Sequence, residues 1–237
     1  MSALGGMATA GESIDAPVVI VRDLGRGSGS YREIAGLVHD GVNVHEMDLF
    51  GGDQDSETSI SGWADELERL LDEIPTVAAT CIGDHVGSLV VEHFAATRPD
   101  RVERLILINP LHALPATERS NYEDLARRIP VEGMAVFDLW QSQFQPQHPT
   151  GVSDAELQPE VLADAWTAVA AAHTSDLSAL AAPSLICFNE ASQVHKDAAA
   201  ALTGKLANST SVPFTTSDVS SAAISTFLTS TTNEVTP

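Results

Sequence analysis

The sequence predicts an α/β protein with a mainly parallel, doubly wound sheet and a helical lid insertion. Short β-branched runs alternate with helical patterns over most of the chain, and the first run, Pro17–Val21, is apolar without interruption. Parallel strands are covered by helices on both faces, so they show continuous apolar runs instead of alternation. With 237 residues, 43% of them hydrophobic, the chain can form one domain with a sizeable core.

The first part of the chain follows strand–helix order. Strands are predicted at 17–21, 42–48, 76–82 and 103–109, with helices at 31–38, 61–74 and 86–97 between them. The helix at 61–74 is amphipathic, because Trp63, Leu67, Leu70 and Leu71 share one face.

The alternation stops between residues 111 and 172. This segment has helical stretches that we expect to be interrupted by prolines, namely Pro115, Pro130, Pro146, Pro149 and Pro159. A strand at 183–188, a helix at 193–206, a weak strand near 210–214 and a helix at 218–229 follow. We therefore expect a core of residues 16–110 and 173–230, a helical lid at 111–172, a flexible tail at 1–15 and a frayed end at 231–237.

Composition limits the classes of partner. Twelve basic and 33 acidic residues give a formal charge of 12 − 33 = −21, which disfavours nucleic acids and anionic membrane surfaces. The N-terminal segment lacks the basic and apolar regions of a signal peptide, and no apolar run approaches the roughly 20 residues of a membrane span. Cys81 and Cys187 lie in strand-like runs, where a reduced, packed thiol is expected. The sequence thus predicts a cytoplasmic protein of unknown oligomeric state.

The most informative motif is the turn Gly83-Asp84-His85-Val86-Gly87. An apolar strand pattern ends there and a helical pattern begins at once, with a glycine two residues on either side of His85. This spacing is typical of a nucleophile elbow, G-x-S-x-G, whose central serine is presented on a strained turn. Here histidine stands at the centre, so ordinary ester hydrolysis is not the expected function.

Five segments resemble motifs of the α/β-hydrolase superfamily, in the family's order. They are the strand and loop at 18–25, the turn at 48–56, the elbow, the helix end and strand at 98–110, and the strand at 182–192. The resemblance spans about residues 16–229 and implies that fold, with a trimmed sheet. In the family's strand order, the strand at 103–109 separates those carrying Cys81 and Cys187, so a disulfide between them is not expected.

The resemblance fails at the positions that carry the family's chemistry. His85 replaces the nucleophile, Ser192 and Asn109 stand at the two acid positions, Arg22-Asp23 replaces the His-Gly of the oxyanion loop, and the segment 209–217 holds no histidine. A Ser-His-Asp triad needs its three groups in mutual contact. The resemblance therefore implies a divergent member that lacks this triad.

His85 is the predicted catalytic residue, acting as a general base at the start of a helix. The backbone N–H of Val86, with one from Asp23 or Leu24, would stabilise an enolate oxygen. Removing a proton beside a carbonyl would begin an isomerisation, epimerisation, elimination or cyclisation. The alternative is that His85 only fills the pocket.

Four further side chains are candidate pocket residues. Arg22 could bind a substrate carboxylate or pair with a neighbouring acid, and Asp84 could orient His85. His112 follows a strand at the mouth of the lid, and His195 lies near the lost acid position. Apolar lid residues, Met134, Phe137, Leu139, Trp140, Phe144 and Trp166, suggest an apolar pocket or simple lid packing.

No metal or cofactor is predicted, because two cysteines cannot form a thiolate zinc cage and no two histidines have clear ligand spacing. Three functions remain open. The chain could be a non-hydrolytic enzyme acting on a small-molecule or peptide substrate under the lid, as some members of the superfamily that lack the triad do with natural-product intermediates. It could be a hydrolase with relocated catalytic groups, or a non-catalytic binding or partner protein.

Overall fold

The computed structural model describes residues 16–24, 31–38, 42–50, 57–144, 158–215 and 217–230. Within these residues, six parallel strands form one sheet in the order β2-β1-β3-β4-β5-β6. The strands are β1 (Val18–Val21), β2 (Val44–Met47), β3 (Ala79–Asp84), β4 (Val102–Ile108), β5 (Ser184–Asn189) and β6 (Ser209–Phe214). The predicted parallel sheet is confirmed.

Eight α-helices lie between the strands of the described chain or follow the last of them. They are α1 (Arg32–Gly36), α2 (Ile60–Glu73), α3 (Val86–Thr97), α4 (Ala116–Glu132), α5 (Met134–Phe144), α6 (Pro159–Ala171), α7 (Gln193–Thr203) and α8 (Ser217–Thr229). Helix α3 has the predicted bounds, and α4, α5 and α6 form the helical insertion between β4 and β5.

The alternation of side chains along each strand gives the sheet two apolar faces. In β1, Val19 and Val21 pack with the larger core beneath α2, α3 and the inserted helices. Val18 and Ile20 belong to the opposite, smaller core, which includes Ile224 and Leu228 of α8. Helices therefore cover both faces, as the continuous apolar run predicts.

Two expectations about local structure were wrong. The strand predicted at 76–82 begins only at Ala79, because Thr76 folds into a tight turn in which its hydroxyl donates to the carbonyl of Ala78 and Val77 is 82% exposed. Pro130 does not interrupt the inserted helices but lies inside α4. It is within three residues of the helix end at Gly133, whose φ of 78° terminates the helix.

The other described prolines stand at helix starts. Pro115 precedes α4 and Pro159 is the first residue of α6, where a missing N–H costs no helical hydrogen bond. The predicted tail at 1–15, the end at 231–237, and Pro146 and Pro149 lie outside the described residues. None of the described helices is long and apolar enough to cross a membrane.

Cys81 and Cys187 are both buried and both free. They lie in β3 and β5, and β4 pairs with each of these strands and separates them. Burial raises the pKa of both thiols to about 12, so they are poor nucleophiles at neutral pH.

Candidate active site

The site is built at the carboxyl ends of the central strands, where the turn after β3 presents His85. This residue has φ 48° and ψ −105°, a conformation that side chains rarely adopt. Its N–H donates to the carbonyl of Ile108 in β4 (2.9 Å), and its carbonyl accepts from the hydroxyl of Ser88 (2.6 Å). The strained backbone is therefore held from both sides.

The two glycines of the elbow are sterically required. A Cβ at Gly83 would lie 2.6 Å from the carbonyl oxygen of Gly87, and a Cβ at Gly87 would lie 2.1 Å from that of Val21. Both distances are far below van der Waals contact. The close approach of α3 to β1 and β3 thus explains why the motif has glycine at both positions.

Asp23 orients the His85 ring. The Asp23 Oδ1 atom lies 3.0 Å from His85 Nδ1, and only 3% and 6% of the two side chains are exposed. Because an ionised carboxylate only accepts hydrogen bonds, Nδ1 carries the proton and Nε2 presents the lone pair. The arrangement is possible because β1 pairs directly with β3, so the residues following the two strands are neighbours.

The same carboxylate occupies the expected oxyanion site. The N–H groups of Leu24 and Val86 both donate to Asp23 Oδ1, at 2.9 and 3.3 Å, and the N–H of Asp23 donates to the hydroxyl of Tyr31 at 2.8 Å. The expectation that these donors face a substrate oxygen is therefore wrong for this structure. The replacement of glycine by aspartate in the loop supplies the acceptor.

Asp84 is not the residue that bonds to the His85 ring in the described contacts. Its Oδ2 accepts a hydrogen bond from the Tyr31 hydroxyl (3.1 Å), which links it indirectly to the Asp23 loop. Arg22 forms an ion pair with Asp48, so the structure favours the pairing alternative over a substrate carboxylate.

His195 meets His85 at the site. The two ring centroids are 5.8 Å apart with an interplanar angle of 84°. Burial, with a smaller effect of His85, lowers the pKa of His195 to about 3, so the ring is neutral at pH 7. Its Nδ1 is buried and has no hydrogen-bond partner among the described residues. Ser192, at the acid position, instead caps α7 by accepting from the His195 N–H (3.4 Å).

His112 lies in a second polar cluster. Its Nδ1 is 2.6 Å from Glu92 Oε2 and its Nε2 is 3.1 Å from Lys205 Nζ. Burial raises the pKa of Glu92. Asn109, the other acid position, has φ 48°, and its Oδ1 accepts from the N–H of Asn189 (2.9 Å). This side chain therefore connects the ends of β4 and β5.

The inserted helices contribute an aromatic cluster. Tyr122 stacks on Trp166 with centroids 4.9 Å apart, and Trp140 meets Trp166 edge-on at 5.0 Å. Burial raises the pKa of Tyr122, with smaller effects from the negative charges of Glu118 and Asp23. Leu139 is 56% exposed and so departs from the expectation that it packs inside; the Phe144 side chain lies outside the described residues.

Sequence reasoning missed the Tyr31 hydroxyl, the side-chain role of Asp23, and the pairing of Glu92 and Lys205 with His112. Asp23 carried a usable signal, since an acidic residue replaced a glycine in the oxyanion loop. Glu92 carried another, because it is an acidic residue within the largely apolar helix 86–97.

Comparisons with known proteins agree with this geometry at the level of the fold. The Ndr family, whose members have the α/β-hydrolase fold, matches residues 41–144, less than half of the chain. No curated protein matches the sequence.

Solved structures match most of the chain at low identity. A thermophilic esterase from Thermogutta terrifontis has a TM-score of 0.75 at 19% identity, with 91% of this chain and 90% of that chain covered. MenH from S. aureus has a TM-score of 0.76 at 18% identity, with 92% and 94% covered. Bromoperoxidase from Bacillus anthracis has a TM-score of 0.75 at 19% identity, with 92% and 93% covered.

The chain therefore has the α/β-hydrolase fold, with a six-stranded parallel sheet and a helical insertion. One of the matched structures is named an esterase and another a bromoperoxidase, although both have this fold. The fold therefore does not define the reaction.

Proposed function

We propose that the chain is a non-hydrolytic enzyme in which His85 moves a proton next to a carbonyl group of a small-molecule or peptide substrate. The observation that carries this proposal is the 3.0 Å contact between Asp23 Oδ1 and His85 Nδ1. A carboxylate in this position holds the ring and its tautomer, and it offsets the charge of the imidazolium that forms when Nε2 takes a proton.

The position of the Asp23 carboxylate restricts the chemistry. It accepts from the N–H groups of Leu24 and Val86, which would otherwise stabilise a tetrahedral oxyanion. Its negative charge also opposes a new anion beside it. Ester and amide hydrolysis through such an intermediate is therefore disfavoured.

The substrate should delocalise its own negative charge. In a carbon acid flanked by two carbonyl groups, the electron pair left by proton removal spreads over both oxygens, away from Asp23. His85 Nε2 would take the C–H proton and return it to the other face or to another atom, so the net reaction is an epimerisation or isomerisation. The neutral His195 ring beside His85 avoids placing a second cation there.

We place this reaction beneath the inserted helices and in the cytoplasm. The aromatic cluster of buried Tyr122 and Trp166 with partly buried Trp140 would form an apolar wall for the substrate. The acidic surface disfavours anionic partners such as nucleic acid. The free thiols of Cys81 and Cys187 fit a reducing compartment.

The test is deuterium incorporation from D2O at neutral pD into neutral carbon acids flanked by two carbonyl groups, beginning with ethyl 2-methyl-3-oxobutanoate and 2-methyl-3-oxobutanamide, followed by NMR. Exchange should exceed the buffer rate and fall about 10²–10⁴-fold in His85→Gln. His93→Gln is the matched control, since it removes a histidine from α3 that lies outside the site. Exchange at the buffer rate for every compound would contradict the proposal.

A second candidate function is ligand binding without turnover. It is favoured by the observation that the elbow N–H of Val86 is already bonded inside the protein and that His85 is only 5% exposed. In that case the same compounds would raise the melting temperature without exchanging deuterium.

A further inference from the structure

Glu92, His112 and Lys205 form a continuous hydrogen-bonded chain from the core to the surface. Glu92 and His112 are 1% and 3% exposed, whereas Lys205 is an exposed residue just after α7. Glu92 Oε2 lies 2.6 Å from His112 Nδ1, and His112 Nε2 lies 3.1 Å from Lys205 Nζ. The proposed reaction at His85 uses none of these three groups.

The donors and acceptors in this cluster follow from its chemistry. A lysine ammonium group can only donate, so His112 Nε2 must accept from Lys205 Nζ. The ring proton is then on Nδ1 and is donated to the Glu92 carboxylate. The order carboxylate, imidazole, nucleophile is that of a hydrolytic triad, with an amine in place of a hydroxyl.

We propose that Lys205 is a nucleophilic lysine, activated by His112 and Glu92, that accepts an acyl group from a small neutral acyl donor such as a thioester. The Lys205 ammonium group first loses one proton to solvent through His112 Nε2. The neutral amine then attacks the carbonyl carbon, the C–N bond forms and the C–S bond breaks. His112 Nε2 takes the proton that the amine loses and passes it to the departing thiolate. The products are an amide on Lys205, a free thiol and the one proton released to solvent, so atoms and charge balance.

Two features of the cluster support activation. The imidazole is already in contact with the amine, so the proton transfer that aminolysis needs requires no rearrangement. Burial also raises the pKa of Glu92, which makes its carboxylate a stronger acceptor for the Nδ1 proton of His112.

The net charge of the chain favours some acyl donors over others. At a formal charge of −21, the protein repels polyanionic acyl carriers, whereas a neutral thioester meets no such barrier.

The chain provides its own control, because Lys196 and Lys205 are the only two lysines in the sequence. We would incubate the full chain with S-acetyl-N-acetylcysteamine at pH 7 and follow acetylation of each lysine by peptide mass spectrometry. Lys205 should react about 10-fold faster than Lys196 or more. The ratio should fall towards 1 as the pH rises to 10, because an ordinary lysine amine also loses its proton near that pH. Equal rates at pH 7, or a ratio independent of pH, would overturn the proposal.

Variants separate activation from simple exposure. His112→Asn should reduce the Lys205 rate to that of Lys196, and Glu92→Gln should reduce it in part, while Lys205 stays exposed in both. An unchanged ratio in either folded variant would mean that the cluster is only a structural clamp. If neither variant folds, the pH dependence of the ratio in the unaltered protein decides the question.

Discussion

The Oδ1 atom of Asp23 lies 3.0 Å from His85 Nδ1, and the same oxygen accepts hydrogen bonds from the backbone N–H groups of Leu24 and Val86. The residue that orients the side chain at the elbow is thus also the residue that occupies the oxyanion donors. Asp23, which follows β1, and His85, which follows β3, are therefore buried together. A substitution of either residue should change both the stability of the protein and the chemistry of the site.

Replacing Asp23 by alanine should destabilise the protein by about 3 kcal/mol, because the N–H groups of Leu24 and Val86 would lose their buried acceptor. Urea unfolding measures this. Asp23→Asn keeps an acceptor oxygen and should cost less than half as much. Equal losses in the two variants would mean that the charge, and not the hydrogen bonding, holds the loop.

The unaltered protein should not turn over p-nitrophenyl esters faster than buffer, beyond at most one p-nitrophenol released per chain by acylation of Lys205, and it should not react with a fluorophosphonate probe. The elbow presents imidazole where a serine would be needed, and Asp23 opposes an oxyanion. Gel fluorescence after probe treatment is the measurement. His85→Ser should also remain unlabelled, because it restores a hydroxyl without emptying the donor site; labelling of either protein would contradict this account.

The parallel sheet and the elbow could be predicted from the sequence because they depend on local patterns. Apolar runs located the four inner strands β1, β3, β4 and β5, and the glycine spacing placed His85 at a strained turn, which its φ of 48° confirms. The error at the start of β3 arose because Thr76 and Val77 have strand-like side chains but fold into a turn.

The contacts of the site could not be predicted in the same way, because they join residues distant in the sequence. Asp23 and His85 are 62 residues apart, and His112 and Lys205 are 93 apart. The order of the family's motifs places His195 close in sequence to Ser192, the position of the triad acid. Only the folded structure shows that the His195 ring packs against His85.

Gly87→Ala should abolish folding or cost more than about 3 kcal/mol, because the added Cβ would lie 2.1 Å from the backbone oxygen of Val21, which cannot move without distorting β1. Gly204→Ala is the matched control. Its Cβ would meet only atoms at 3.6 Å and its φ is −72°, so this variant should be neutral or more stable by about 0.5 kcal/mol. Thermal unfolding followed by circular dichroism compares the two, and a folded Gly87→Ala variant of normal stability would refute the tight elbow.

The free energy of unfolding should decrease as the pH is lowered below 7, and His195 should account for part of this decrease. Burial lowers its pKa from 6.5 to about 3 in the folded protein, so between these values the unfolded chain binds a proton that the folded protein does not. Acid therefore favours unfolding, and this group should remove about 2 kcal/mol of stability between pH 7.5 and pH 5. Urea unfolding across this range measures the loss.

His195→Asn isolates this contribution, because asparagine does not titrate and all other groups are retained. The difference in unfolding free energy between the two proteins should shrink by about 2 kcal/mol as the pH falls from 7.5 to 5. Only the unaltered protein has an imidazole at this position that takes up a proton when the chain unfolds. His93→Asn, on α3, should leave the pH dependence nearly unchanged. If the His195 variant keeps the full acid sensitivity, the ring is not held neutral against His85 and the packing at the elbow is looser than described.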